Sequence, residues 1–183
     1  MTEGGPFPTQ VTIRPAGPDD AAGIAWVHVD SWRAAYVGLV PQAVLDRLSV
    51  NRRRVFWTAR LADPGESRTF VAEDRGRIVG FAGTGRPTDP ENPPGRAELE
   101  TIYLLPDVWR HGVGRQLMAR ALGDLADREF SSAILWVLTG NERGRRFYEA
   151  ADWQPDGRIQ MLDFDGTPVE EMRYLVDLEP ARS

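Results

Sequence analysis

The sequence predicts an α/β protein whose elements run β-αα-β-β-β-α-β-α-β-β. Three observations carry that expectation. Leu99 to Leu105 is apolar, aromatic and β-branched, a strand pattern, and after a glycine-containing loop it gives way to Val113, Leu117, Met118, Ala121, Leu122 and Leu125, the spacing of a one-sided helix. Asp74-Arg75-Gly76 and Asp165-Gly166 are turn signals set between strand-like runs, so each marks a hairpin. Elsewhere two-residue and helical periods alternate along the chain, with no internal repeat.

Taken in order, Val11-Thr12-Ile13-Arg14 alternates apolar and polar residues and reads as the first strand. Pro18-Asp19-Asp20 opens a helix, with acids where the helix dipole favours them, and that helix carries Ile24, Val27, Trp32 and Tyr36 up to Gly38. Pro41 starts a second helix through Val44, Leu45 and Leu48; Asn51 is the expected cap of a third piece through Val55, Phe56 and Leu61. Arg68 to Glu73 and Arg77 to Thr84 form the first hairpin, and the four prolines between Arg86 and Gly95 make an irregular loop. Pro106 ends the central strand because it has no N–H to donate. Ser132 to Leu138 is almost continuously apolar, the mark of a strand in the middle of a sheet. Asn141 caps a short helix, Glu142 to Ala150, and Ile159 to Phe164 with Glu170 to Val176 make the last hairpin.

Composition narrows the function. The 183 residues suit one domain, expected over 9–179 after a flexible segment at 1–8. A net charge of −5 argues against a nucleic-acid partner and favours a cationic or neutral substrate over an anionic one. The absence of cysteine excludes disulfides and thiolate chemistry, and two histidines make a His-rich metal site improbable, so no metal is expected. Residues 1–8 have no signal-peptide pattern and the apolar runs are too short to span a bilayer, which leads to the expectation of a cytoplasmic protein without a membrane partner. Every basic residue is Arg, so the chain has no lysine side chain to modify in itself.

Gly112 and Gly114 lie where the central strand hands over to its helix. The first turn of a helix leaves about four N–H groups unpaired, and their partial positive charge attracts anions. Without a Cβ the loop backbone can come close to a phosphate, and Arg110, His111 and Arg115 stand beside the same turn. A Walker loop is excluded because there is no Lys, and a dinucleotide fingerprint because Leu117 stands where its third glycine belongs.

The window Trp109-Arg110-His111-Gly112-Val113-Gly114 resembles the acetyl-CoA loop of the GNAT N-acetyltransferases, Gln/Arg-x-x-Gly-x-Gly/Ala, departing at its first position, Trp109. A second window, Asn141 to Glu149 followed by Ala151-Asp152-Trp153, is similar to that family's Asn-x-x-Ala-x-x-Phe-Tyr-Glu and Gly-Phe, with Gly144 for Ala and Asp152-Trp153 for Gly-Phe. The resemblance covers nearly the whole chain. It implies the GNAT fold, a central mixed, mostly antiparallel sheet of about seven strands flanked by helices.

It also implies acetyl transfer from acetyl-CoA to a primary amine of a small molecule or protein, by direct attack in a ternary complex; a non-catalytic acyl-CoA-binding or regulatory module of the same fold is the alternative. By the same resemblance, Glu100 or Glu98 is the candidate base and Tyr148 the acid for the departing thiolate. Backbone groups of Ile102, Tyr103 and Leu104 are expected to meet the acetyl carbonyl and pantetheine. Arg110, His111, Gly112, Val113, Gly114 and Arg115 would hold the diphosphate, and Asn141 would touch the pantetheine arm. His28, Trp32 and Tyr36 are candidates for the acceptor pocket, and a homodimer is a family expectation. Glu98, Glu100 and Ile102 are expected to share one face of the strand, because strand side chains alternate.

Overall fold

The structure, a computed structural model, describes residues 11–87 and 92–178. The segment 1–8, the ends of the 9–179 domain and the middle of the proline-rich loop lie outside the described residues. Seven strands form one sheet: β1 Thr12–Pro15, β2 Arg68–Asp74, β3 Arg77–Gly85, β4 Arg96–Leu104, β5 Ser132–Leu138, β6 Gln154–Phe164 and β7 Thr167–Asp177. The helices are α1 Ala21–Ala35, α2 Gln42–Asp46, α3 Val50–Ala62, α4 Val113–Asp127 and α5 Glu142–Glu149. A 3-10 turn at Pro18–Asp20 leads into α1, and another at Pro106–Val108 follows β4.

The strand order is β1-β2-β3-β4-β5-β7-β6. All neighbours are antiparallel except β4 and β5, which α4 connects as a crossover. Both hairpin turns carry two residues of positive φ, Arg75 and Gly76 (51° and 80°) and Asp165 and Gly166 (55° and 85°), the twist that suits a two-residue hairpin. The third helix begins two residues earlier than expected. Ser49, not Asn51, is its cap, its hydroxyl accepting the Arg52 N–H at 3.3 Å, and Asn51 lies inside the first turn.

Helices cover both faces. Phe81 on β3 packs its ring against His28 of α1 and Trp57 of α3. A Cβ on the preceding residue, Gly80, would meet Leu117 of α4 at 3.1 Å. Successive strand residues point to opposite faces, so α1 and α3 lie on one side and α4 on the other. The main core includes Ile24, Val27, Trp57, Phe70, Leu117, Leu125, Trp153 and Tyr174. A smaller cluster of Val40, Leu45 and Leu138, with Trp32, Tyr36 and Phe164 against it, closes the end of the molecule beside α2.

Two irregularities in β4 position the site. Its ladder with β5 has three rungs, Arg96 with Ser132, Ala97 with Ala133 and Glu98 with Ile134, after which both strands continue without pairing to each other. Its ladder with β3 slips between Gly83 and Thr84: Thr101 opposes Gly83 and Leu99 opposes Thr84, leaving Glu100 as the extra residue of a β-bulge. The bulge overturns the regular alternation expected here. Glu100 is followed on its face by Thr101, whose hydroxyl lies beside Gly83 together with the Glu100 carboxyl, and Ile102 turns to the α4 side.

Among the described residues, no helix is long and apolar enough to cross a membrane.

Candidate active site

A cleft of about 610 Å³ opens where β4 and β5 part company. Its walls run from Glu98 through Leu104 on β4, across the turn before α4, to Trp136–Leu138 on β5 and the inner side of α5. Because the ladder stops at Glu98, the β4 edge beyond it turns backbone N–H and C=O groups into the cleft instead of onto a neighbouring strand.

At one end lies the turn that starts α4. Arg110 and Gly112 have left-handed backbone, φ 66° and 81°, and Gly112 is the helix cap. It supplies no side-chain acceptor for the first N–H groups, no acidic residue sits in the first turn, and nothing lies within 4 Å of where a Gly112 Cβ would be. Those N–H groups can take an anion from outside the chain. Gly114 serves packing instead: a Cβ there would meet the Phe147 ring at 3.2 Å, so its absence lets α5 close on α4. Arg110 and Arg115 line the same end. His111 is exposed in the turn and does not line the cleft, and Val113 is buried beneath it, so both offer it backbone groups only.

Asn141 lines the cleft and caps α5, its side-chain oxygen accepting the Gly144 N–H at 3.0 Å. The cap explains the glycine in that motif, because a Cβ on Gly144 would stand 2.7 Å from the Asn141 amide nitrogen. Asp152 takes the left-handed conformation, φ 65°, as the helix ends, a place glycine often fills. Trp153 is fully buried against Tyr148. Tyr174 donates to Glu149 at 2.7 Å and accepts from Arg145 at 3.2 Å, which ties α5 to the sheet.

The two strand carboxylates have different surroundings. Glu100 is paired with Arg60 of α3, which also donates to Ser67 at 3.0 Å. Burial raises its pKa, and Arg60 and Ser67 pull it back. Glu98, at the last rung of the β4–β5 ladder, is pushed up to about 7, chiefly by burial and further by Glu100 and Glu171, with Arg173 opposing. Glu171 on β7 also lines the cleft; burial raises its pKa although it accepts a hydrogen bond from Gln160 at 3.0 Å. Sequence spacing gave no reason to single out Glu171, because only the β5–β7 pairing brings it to this wall.

Tyr148 lines the cleft from the last turn of α5, and burial, with Tyr103 nearby, raises its pKa so that the phenol keeps its proton. Tyr36 and Tyr103 lie beside it, both also raised by burial. Trp32 and Tyr36 form an edge-to-face pair in the wall. His28 does not line the cleft. It is 5% exposed, accepts the Trp57 indole N–H at 3.3 Å on Nδ1, and burial holds its pKa down at about 3. Helical spacing placed His28 on the same stripe as Trp32, but that stripe is wide enough to face the core as well as the cleft. Among the described residues, no group of three or more His, Cys, Asp or Glu is placed to hold a metal ion.

An anion seat at one end, strand backbone along the middle, and carboxyl and phenol groups beyond it make a cleft for an elongated ligand whose far end can undergo acid–base chemistry. Comparison with known proteins agrees. The model of the Acetyltransferase (GNAT) family matches residues 27–153. An uncharacterized N-acetyltransferase of Bacillus subtilis (strain 168), YuaI, is 38% identical over 132 residues, covering 72% of this chain and 73% of the relative. PaiA N-acetyltransferase from Thermoplasma acidophilum, solved in complex with coenzyme A, has the same fold at a TM-score of 0.67 and 18% identity, over 90% of this chain and 98% of that one. So does yncA from Salmonella typhimurium, solved with its cofactor acetyl-CoA, at a TM-score of 0.70 and 18% identity, over 96% and 98% of the two chains. The chain belongs to the GNAT acetyltransferase family.

Proposed function

We propose that this protein transfers the acetyl group of acetyl-CoA to a primary amine of a small molecule or protein, by direct attack within a ternary complex, and that residues 9–179 act as one domain. The observation that carries the reading is the fork between β4 and β5, which runs from an anion seat at Gly112 to a half-buried carboxyl at Glu98. Coenzyme A in PaiA and acetyl-CoA in yncA support the choice of cosubstrate.

When bound, acetyl-CoA supplies an acyl group activated as a thioester. The N–H groups of Gly112, Val113, Gly114 and Arg115, with the Arg110 and Arg115 side chains, hold its diphosphate. His111 contributes backbone only. Asn141 keeps its oxygen on its own helix and has its amide N–H₂ left for the pantetheine arm. The cleft-facing backbone of Ile102, Tyr103 and Leu104 receives the acetyl end and donates to the carbonyl oxygen as charge develops there. Trp32 and Tyr36 form the acceptor wall.

An amine with a lysine-like pKa of ~10.4 is neutral in only about one molecule in 2,500 at pH 7, a barrier of ~4.6 kcal/mol that a base must help to cross. Glu98 is the base in this scheme. Its carboxyl titrates near neutrality, whereas Glu100 is engaged by Arg60 and Ser67. As the amine nitrogen bonds to the carbonyl carbon and the carbon–sulfur bond breaks, Glu98 takes a proton from nitrogen and Tyr148 gives one to sulfur. Glu171 adds negative charge on the acceptor side, which favours a cationic amine.

The test is a panel of small amines and peptides assayed with acetyl-CoA for release of free thiol. Amine-dependent thiol release supports the proposal. CoA binding without turnover on any amine would favour the non-catalytic module, and no CoA binding at all would end both.

A further inference from the structure

The first position of the acetyl-CoA loop is Trp109, and the structure gives that residue an unusual companion. The Trp109 indole is pinned by its N–H, which donates to the Leu104 carbonyl at 2.9 Å, so the ring is fixed to the end of β4. On its face lies the guanidinium of Arg143, 3.6 Å from the ring centre. Arg143 comes from the first turn of α5, on the other wall of the cleft, and lines the cleft together with Arg110 and Arg115. Among the described residues no carboxylate pairs with it, although eight other arginines have salt-bridge partners in the same molecule, Arg14 with two.

A planar cation stacked on an aromatic ring keeps its in-plane N–H groups free to point outward. Partial burial lowers the Arg143 pKa, the cost of drawing a cation from water without a counter-charge. The stack fixes the position of the guanidinium, and the cleft it lines is the one that ends in the anion seat.

We propose that Arg143, held over the face of Trp109, is a phosphate-binding residue for coenzyme A, supplied to the cradle by α5 instead of by the loop. The proposal rests on the CoA reading above. It explains how the loop tolerates an indole at a position where a hydrogen-bonding side chain is usual: the charge comes from across the cleft, and the indole is its platform. The phosphate is either that of the diphosphate or the one on the ribose, and ligand fragments separate the two.

The experiment is calorimetric titration of the wild type and Arg143→Gln with CoA, with dephospho-CoA and with pantetheine, with the unliganded melting temperature as a control on folding. Arg143→Gln is expected to weaken CoA about tenfold, the scale of one charge-assisted hydrogen bond, and to leave pantetheine unchanged. Loss on CoA alone assigns the ribose phosphate, and equal loss on dephospho-CoA assigns the diphosphate; both support the proposal. A second variant, Trp109→Arg in the Arg143→Gln background, is expected to recover most of the lost affinity by returning a cation to the loop. Unchanged CoA affinity in Arg143→Gln, or an equal loss on pantetheine, overturns the proposal while leaving the CoA reading intact. A wild type that binds no CoA brings down both.

Discussion

Two helices begin at the rim of the same cleft and end their backbones differently. At the start of α5, Asn141 accepts an N–H from its own first turn and Glu142 adds an acid to that turn. At the start of α4, Gly112 offers no side-chain acceptor, the first turn has no acid, and the space beside the cap is open. Each N-terminus carries the same set of orphan donors and the same partial charge. A helix whose chain satisfies its own N-terminus is held as structure, and one that leaves it bare can bind something from outside. In the proposed function the difference divides the labour: binding goes to the first turn of α4, chemistry to Tyr148 in the last turn of α5 and to Glu98 on β4.

The largest effect is expected from giving α4 the kind of end that α5 has. Gly112→Asp places a carboxylate over the bare N–H groups and a side chain on left-handed backbone, and CoA affinity should fall by about 100-fold or more. Calorimetry retaining affinity within threefold would show that this turn is not the anion seat. Glu98→Gln should leave CoA affinity nearly unchanged and lower turnover by about 100-fold, the middle of the range for a general base. The sign of its pH dependence follows from burial: the carboxyl stays protonated up to about pH 7, so the wild-type rate rises with pH through that value. Glu98→Gln should flatten this limb and Glu100→Gln should keep it; the reverse pattern in the rate profiles would move the base to Glu100. Tyr148→Phe should cut turnover at least about tenfold with CoA affinity within a few-fold, and an unchanged steady-state rate would remove its acid role. The smallest change is Asn141→Ala, which bares the α5 terminus and should cost about 1 kcal/mol of stability in urea unfolding and weaken CoA by only a few-fold, through the one pantetheine contact proposed for its amide.

Much of this was legible in the residues, and the exceptions share a cause. Hairpin turns, the strand–glycine–helix passage and the Asn141 cap are local, set by a few neighbouring residues. Ser49 displaced Asn51 as the α3 cap because both residue types cap well and only the start of the helix decides between them. The bulge at Glu100 is invisible in the sequence, since Glu98-Leu99-Glu100-Thr101-Ile102 reads the same whether or not β3 slips one residue against it. Glu171 and Arg143 reach the cleft from β7 and α5, and no spacing along the chain announces a neighbour from a distant segment. His28 and Trp32 sit one turn apart on α1 yet separate into core and cleft, a distinction that hydropathy does not make.

The three-rung ladder between β4 and β5 makes the cleft a pair of callipers pivoted at Glu98. From that pivot to Leu104 the arm is roughly 20 Å long at a strand's usual rise, so a swing of only about 3° would shift its tip by about 1 Å. The gape is held at its tight end by backbone rungs and the contact of Arg96 with Ser132 at 3.4 Å, and at its open end by Arg143 on Trp109 and Phe147 against Gly114.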